Sequence, residues 1–406
     1  MTRKPALIIL LLSAAFVLRA EEFHHTLPLG ESPLRLETAT VEAEQVLDTR
    51  DLRRLDVADI VARTQGTDVY LIGEFHDDYR CHLFQKAFIE ALHDRYPRTV
   101  VGLEFFDRDD DPVLEQWRLG EIEEGELLRR TGWYERSSLN FGYTRIVLAL
   151  VRARKIPVIG LNVSRDIVHR VARGGLSALT KAERELFPTV GYENVDHRYF
   201  IRTVFGRLAA QVPVWFDQMY AAQTCWDSVM AESMRRKLKQ PEFRGHKGVI
   251  IAGDFHVVYG LGIPFRYRKA QRRIRLTTLV PVAVSANPET DAEAHPMTRM
   301  MAKNLPAVAL FSRGIADFVF GIDRSEKPRF PEFGMKGKME DGRFVLTEVT
   351  PGGWAERSGL RRGDEVVTVD GESISSLARF RHLMAEKHWG DALDLLVRKK
   401  TTIDEK

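Results

Sequence analysis

The sequence predicts an α/β protein: a mostly parallel sheet with helices on both faces and a helical lid, then a small β-rich C-terminal domain. Three observations carry this. Four apolar runs each end in a polar residue, and stretches of helical spacing separate them, as expected of strands buried on both faces of a parallel sheet. A block from about 174 to 245 is helical, is broken by Pro188, Pro213 and Pro241, and is too long for one crossover. After residue 323 the pattern changes to short alternating strands with paired glycines.

The elements come in this order. Arg3 and Lys4, then the apolar Ala6 to Val17 and a cleavage position at Ala20, read as a secretory signal over residues 1–20. The apolar core is short for a spanning helix, and no lipoprotein cysteine comes after it. The expectation is therefore a periplasmic or secreted protein with no transmembrane segment once the signal is removed. Residues 21–45 read as irregular. A helix is expected within 51–64, from Leu52, Leu55, Val57, Ile60 and Val61. The first buried strand runs Val69-Tyr70-Leu71-Ile72 into Gly73-Glu74-Phe75-His76. An amphipathic helix over 81–96 returns to the second strand, Val100 to Leu103, which ends in Glu104. Helical spacing from 112 to 155 leads to the third strand, Pro157 to Leu161, ending in Asn162. The fourth, Val249 to Ala252, ends in Gly253-Asp254-Phe255-His256. Further strands are expected at 274–284 and 317–322, with a surface insertion over 286–303 and a linker over 323–330.

Composition narrows the classes. A formal charge of +3 over 406 residues, with basic residues scattered, excludes a nucleic-acid surface. The two cysteines, Cys81 and Cys225, read as separate buried thiols, with a bridge between them left open.

Ligands of parallel sheets gather past the carboxyl ends of the strands. If the four strands are neighbours, Glu74, His76, Glu104, Asn162 and His256 share one rim. Glu74 and His76, two apart on a loop, can face one centre as metal ligands or as an acid–base pair. Otherwise Glu74 caps the next helix and His76 is a packed ring. Glu74, His76, Glu104 and His256 are the catalytic candidates. Glu74, His76 and His256 are the candidate ligands of a divalent metal ion. His82 opens the next helix. Gln223, Asp227 and Met230 lie on one helical face that suits the lid side of a pocket, or else solvent.

These residues carry a resemblance. Gly73-Glu74-x-His76-Asp77 with His82 and Gln85, Leu103-Glu104, Leu161-Asn162, Gln223-x-x-Trp226-Asp227 and Gly253-x-x-His256 with Tyr259-Gly260-x-Gly262-Ile263-Pro264 resemble the ChaN family of haem-binding uptake proteins. That family lies within the Tiki and erythromycin-esterase-like superfamily, and the resemblance covers about 40–322. It implies haem handling in a dimer whose iron is held by tyrosine, with Tyr143 and Tyr259 as candidates. The ligand-binding candidates are thus His82, Tyr143, Asn162, Gln223, Asp227 and Tyr259. The wider superfamily implies an alternative, a metal-dependent hydrolase using both Gly-x-x-His motifs. Residues 331–400 resemble a PDZ domain, with Gly359-Leu360-x-x-Gly363-Asp364 as its core. Phe333-Gly334-Met335-Lys336-Gly337 would be the loop that receives the C-terminal tail or an extended peptide of a partner.

Overall fold

A computed structural model of the chain describes residues 24–189, 194–284, 308–324 and 329–400. The expected signal segment and the 286–303 insertion lie outside the described residues, as do residues 325–328 of the expected linker. The strands are β1 (Thr38–Val41), β2 (Val46–Asp48), β3 (Val69–Glu74), β4 (Thr99–Asp107), β5 (Val158–Asn162), β6 (Lys247–Gly253), β7 (Leu276–Val284), β8 (Ala309–Ser312) and β9 (Phe318–Asp323). The helices among them are α1 (Val57–Arg63), α2 (Tyr79–Arg95), α3 (Asp111–Leu119), α4 (Glu124–Thr131), α5 (Trp133–Arg136), α6 (Phe141–Arg154), α7 (Arg165–Gly174), α8 (Lys181–Arg184), α9 (Val195–Gln211), α10 (Pro213–Lys239) and α11 (Ile263–Ala270).

Seven strands form one sheet in the order β2-β9-β7-β3-β6-β4-β5. All pairs are parallel except β2 with β9. Side-chain alternation along a strand feeds two cores. Val69 and Leu71 of β3 join the layer under α7, α9 and α10, while Tyr70 and Ile72 join the layer under α1, α2 and α6. β6 divides in the same way, with Ile250 and Ala252 on one face and Val249 and Ile251 on the other. Each such fully buried aliphatic side chain contributes about 1.5–3 kcal/mol. Cys225 and Cys81 lie in opposite layers as free, buried thiols, so the bridge left open above does not form.

The strand after the lid, β6, sits between β3 and β4, paired Glu74 to Gly253 on one side and Leu103 to Ile251 on the other. One feature departs from the expectations. The 21–45 stretch, expected to be irregular, contains β1, which pairs antiparallel with β8. Its partner lies far along the chain, so no local pattern marks it.

A third core is built from Phe344, Leu346, Val366, Phe380, Leu383 and neighbours within residues 344–383. Its sheet runs β10 (Met335–Glu340), β11 (Arg343–Val349), β12 (Glu365–Val369), β13 (Glu372–Ser373), with β14 (Leu395–Arg398) also on β12. Two helices, α12 (Trp354–Arg357) and α13 (Leu377–Ala385), complete it. α13 leans on the first part of the chain: Arg381 donates to the Tyr134 carbonyl at 2.9 Å, and Asn140 Nδ2 to the Ala385 carbonyl at 3.1 Å.

Candidate functional site

The register of β3, β6 and β4 brings Glu74, Gly253 and Glu104 level. The polar side chains there form two adjacent hydrogen-bonded sets. On the α2 side, the buried Glu74 is held from two directions. Its Oε1 meets His76 Nδ1 at 2.9 Å, and its Oε2 accepts from Gln85 Nε2 at 2.7 Å. Gln85 in turn faces His82 Nδ1 at 3.0 Å, and His82 Nε2 donates to the His76 carbonyl at 3.0 Å. Glu74 does not cap α2. That role falls to Asp78, which accepts from the backbone of Arg80 and Cys81.

On the α10 side, His256 Nδ1 donates to Asp227 Oδ1 at 2.6 Å, with Gln223 Nε2 3.0 Å from the same nitrogen. Its Nε2 lies 3.5 Å from Glu104 Oε1. Glu104 Oε2 accepts from Gly253 N at 2.6 Å, and the Glu104 carbonyl accepts from Asn162 Nδ2 at 2.7 Å. Glu104 reaches the first set through its charge, which acts on His76. Asn162 Oδ1 is buried without a hydrogen bond.

The electrostatics reflect this pairing. Desolvation alone would lower His256, yet Glu104 and the Asp227 hydrogen bond hold it up at about 10. Desolvation would raise Glu104, but His256 and His76 bring it down to about 2. His76 is opposed by its enclosure and raised to about 9 by Glu74 and Glu104. Glu74 is lowered against its burial by His82 and His76. The rim is thus a set of carboxylates interleaved with imidazolium rings at neutral pH.

His76 is the member presented outward. Its side chain is 40% exposed, against 2% for Glu74. Its Nε2 has no hydrogen-bond partner among the described residues, and its ring stands edge-on to Phe105 with centroids 4.8 Å apart. Gly253 makes room for it: a methyl group there would lie 2.9 Å from His76 Cε1 and 3.0 Å from Nε2. Gly253→Ala should therefore swing His76 off Glu74. Stability falls by about 1 kcal/mol, the low end for overpacking, because the ring can move outward. Any binding or turnover at the rim falls about 10–100-fold. Unchanged ring-nitrogen NMR signals of His76 in the variant would refute the tight contact.

The structure corrects three expectations. Glu74, His76 and His256 do not converge as a metal trio: Glu74 and His76 spend their facing atoms on each other, and His256 turns to Asp227 and Glu104. Tyr259 is buried, donating to the His24 carbonyl at 2.6 Å and accepting from Leu27 N at 2.9 Å, so its hydroxyl is committed. Tyr143 is also buried, between His82 and Phe330. Burial pushes both phenols well up, away from the phenolate that iron takes. Tyr199 on α9, which no sequence motif singles out, is 51% exposed. A small, partly open pocket beside Glu74, His82, Gln85 and Glu104 is about 10 Å³, room for one water.

A second cluster lies beside the first, through Asp254. His24 Nε2 is 3.0 Å and His25 Nε2 3.5 Å from Asp254 Oδ2, and all three residues are buried. Burial, then the neighbouring His24, pushes His25 down to about 4, leaving a neutral ring.

In the C-terminal part, Phe333 and Gly334 precede β10, while Met335, Lys336 and Gly337 belong to it. The Gly334 carbonyl accepts from Thr350 N at 2.8 Å, and Lys336 pairs with Glu348 at 3.2 Å. β10 is an edge strand, bonded to β11 alone among the described strands.

A parallel sheet covered on both faces, with an acid–imidazole rim and an appended antiparallel module, defines an α/β protein joined to a PDZ-type module. More narrowly, the chain belongs to the ChaN haem-binding uptake family of the Tiki superfamily, whose model matches residues 60–266. A PDZ-domain model matches residues 345–399. Among solved structures, ChaN of Campylobacter jejuni, described with cofacial haem binding, is 17% identical and shares the fold at a TM-score of 0.51. That match covers 68% of this chain and 95% of that one. An erythromycin esterase in its open conformation is similar at 14% identity and a TM-score of 0.38, covering 71% and 97%. A Bacillus cereus protein is similar at 11% and 0.36, covering 70% and 95%. A search of curated proteins finds no match. No helix among the described residues is long and apolar enough to cross a membrane.

Proposed function

We propose that this protein binds haem as cargo at the carboxyl rim of the sheet, with His76 as the residue that meets the iron. The observation that carries this is the Glu74–His76 pair. A histidine whose Nδ1 is fixed by a buried carboxylate, and whose Nε2 faces outward, has the arrangement of a haem-iron ligand once iron displaces the Nε2 proton that the neighbouring carboxylates hold on the ring at neutral pH. The small pocket beside Glu74 and Glu104 admits no porphyrin, so the haem lies on the outer surface beside Phe105. That leaves its second face open to another copy, in keeping with the cofacial haem of the Campylobacter protein. Arg165, exposed on the first turn of α7 and close enough to Glu104 to feel its charge, suits a propionate. Titrating haem into the purified protein should give a saturable Soret shift at one haem per chain. A spectrum that stays that of free haem sinks the reading.

The PDZ module supplies the second interaction. The free edge of β10 is the side on which a partner's C-terminal peptide adds as a further strand.

One observation favours a second reading, hydrolysis. Asn162 Oδ1 and Gln223 stand with the two acid–imidazole pairs, giving polar groups around a reacting centre. A peptide and ester screen on metal-free and metal-loaded protein distinguishes this from haem carriage.

A further inference from the structure

We propose that His24, His25 and Asp254 form a zinc site that fastens the N-terminal segment to the loop after β6. It is separate from the rim and from haem. Among the described residues, this is the one set of three His, Cys, Asp or Glu side chains whose ligand atoms all lie within 4.8 Å of one another. Two imidazole nitrogens and a carboxylate oxygen are a borderline donor set. It favours Zn²⁺ over the oxygen-seeking Mg²⁺ and Ca²⁺, with a fourth position left for water. Zinc bonds of the usual length place tetrahedral ligand atoms about 3.3 Å apart. The two imidazole–carboxylate gaps, 3.0 and 3.5 Å, bracket that value.

A second, independent observation points to a ligand. His25 Nε2 is buried and makes no hydrogen bond, although it is aimed at Asp254. An imidazole nitrogen left in this state costs free energy that a bound cation would recover.

The backbone is organised to hold the pair in place. Tyr259 takes the His24 carbonyl at 2.6 Å and the Leu27 amide at 2.9 Å, and Ser312 N donates to the His25 carbonyl at 2.7 Å. The surround is aromatic. Phe255 packs edge-on to His24 with centroids 5.0 Å apart, and Phe75 lies 6.4 Å from the His25 ring. Such a shell limits solvent access to the site and lowers its local dielectric. Tyr259 backs this cluster, which accounts for a committed hydroxyl on a motif residue. Asp254 stands two residues before His256, so an ion here also fixes the loop that carries the rim imidazole.

The test uses full-length protein that retains His24 and His25, carries no oligohistidine tag and has been stripped with chelator. Co²⁺ titration should give one equivalent with a tetrahedral d–d band, displaced by Zn²⁺. Zn²⁺ should raise the Tm of the wild type, a readout that needs no variant. In His25→Ala, and separately in Asp254→Asn, affinity should fall by at least about 100-fold, the top of the range for losing even an outer-shell partner. No cobalt band on protein that is folded by circular dichroism overturns the proposal. So does equal affinity in His25→Ala and wild type, or a band lost in His76→Ala but kept in His25→Ala.

Discussion

Asp227→Ala should destabilise the parallel-sheet part of the protein by about 3 kcal/mol or more, the cost of removing one partner from a buried ion pair. Asp227 is fully buried on α10 and accepts from His256 Nδ1 at 2.6 Å. Its loss leaves the His256 ring with Glu104, at 3.5 Å, as its one charged partner beside the Gln223 amide, and with an unfilled space where the carboxylate stood. Asp227→Asn keeps an acceptor facing His256 and should cost less. At the entropy typical of a domain this size, the alanine variant lowers the Tm of that transition by roughly 6–12 °C. A Tm within a degree of wild type would mean that the pair carries no net stabilisation.

The same network sets a pH window. His256 is raised from 6.5 to about 10, so its contribution is complete below 6.5 and is lost as pH climbs toward 10. Glu104 is lowered from 4.5 to about 2, so its contribution is complete above 4.5 and is lost as pH falls toward 2. Stability from this pair is greatest between 4.5 and 6.5. In Asp227→Ala the alkaline decline ends at a lower pH, because one of the interactions that raise His256 is gone. Urea midpoints measured across the range read this directly.

Much of this is legible in the sequence because burial on both faces leaves a plain mark. Val69 to Ile72 and Val249 to Ile251 are unbroken apolar runs, and the polar residues after each must lie at the same sheet edge. Strand order is not legible. Nothing local tells β6 to insert between β3 and β4, since that depends on register and on how far α9 and α10 reach. The tyrosines mislead for a related reason. A phenol in such a motif can point at a ligand or at backbone, and Tyr259 is claimed by a segment more than 230 residues earlier. That segment carries no regular pattern, so adjacent His24 and His25 gain no weight from it. A histidine pair and an aspartate-bearing motif elsewhere are the available signal, but only the fold joins the two.

His76→Ala should abolish the haem-induced Soret shift while leaving the fold intact, and this is the largest functional effect expected. The ring is two-fifths exposed, so its removal opens no deep cavity. Glu74 keeps its hydrogen bond from Gln85 and stays near His82, at 3.7 Å, so the buried carboxylate is not stranded. Only the outward nitrogen disappears. Tyr143→Phe and Tyr259→Phe remove hydroxyls that the fold has already engaged, and neither should change the spectrum by more than their effect on stability explains. Tyr199→Phe is the sharper comparison, because that phenol is exposed and tyrosine ligation is what the family resemblance implies. If Tyr199→Phe removes the Soret shift and His76→Ala keeps it, haem sits on the helical layer and not on the rim. The acid–imidazole network would then have no part in carrying haem, and hydrolysis would become the better account of why three strands end in charged side chains at one edge.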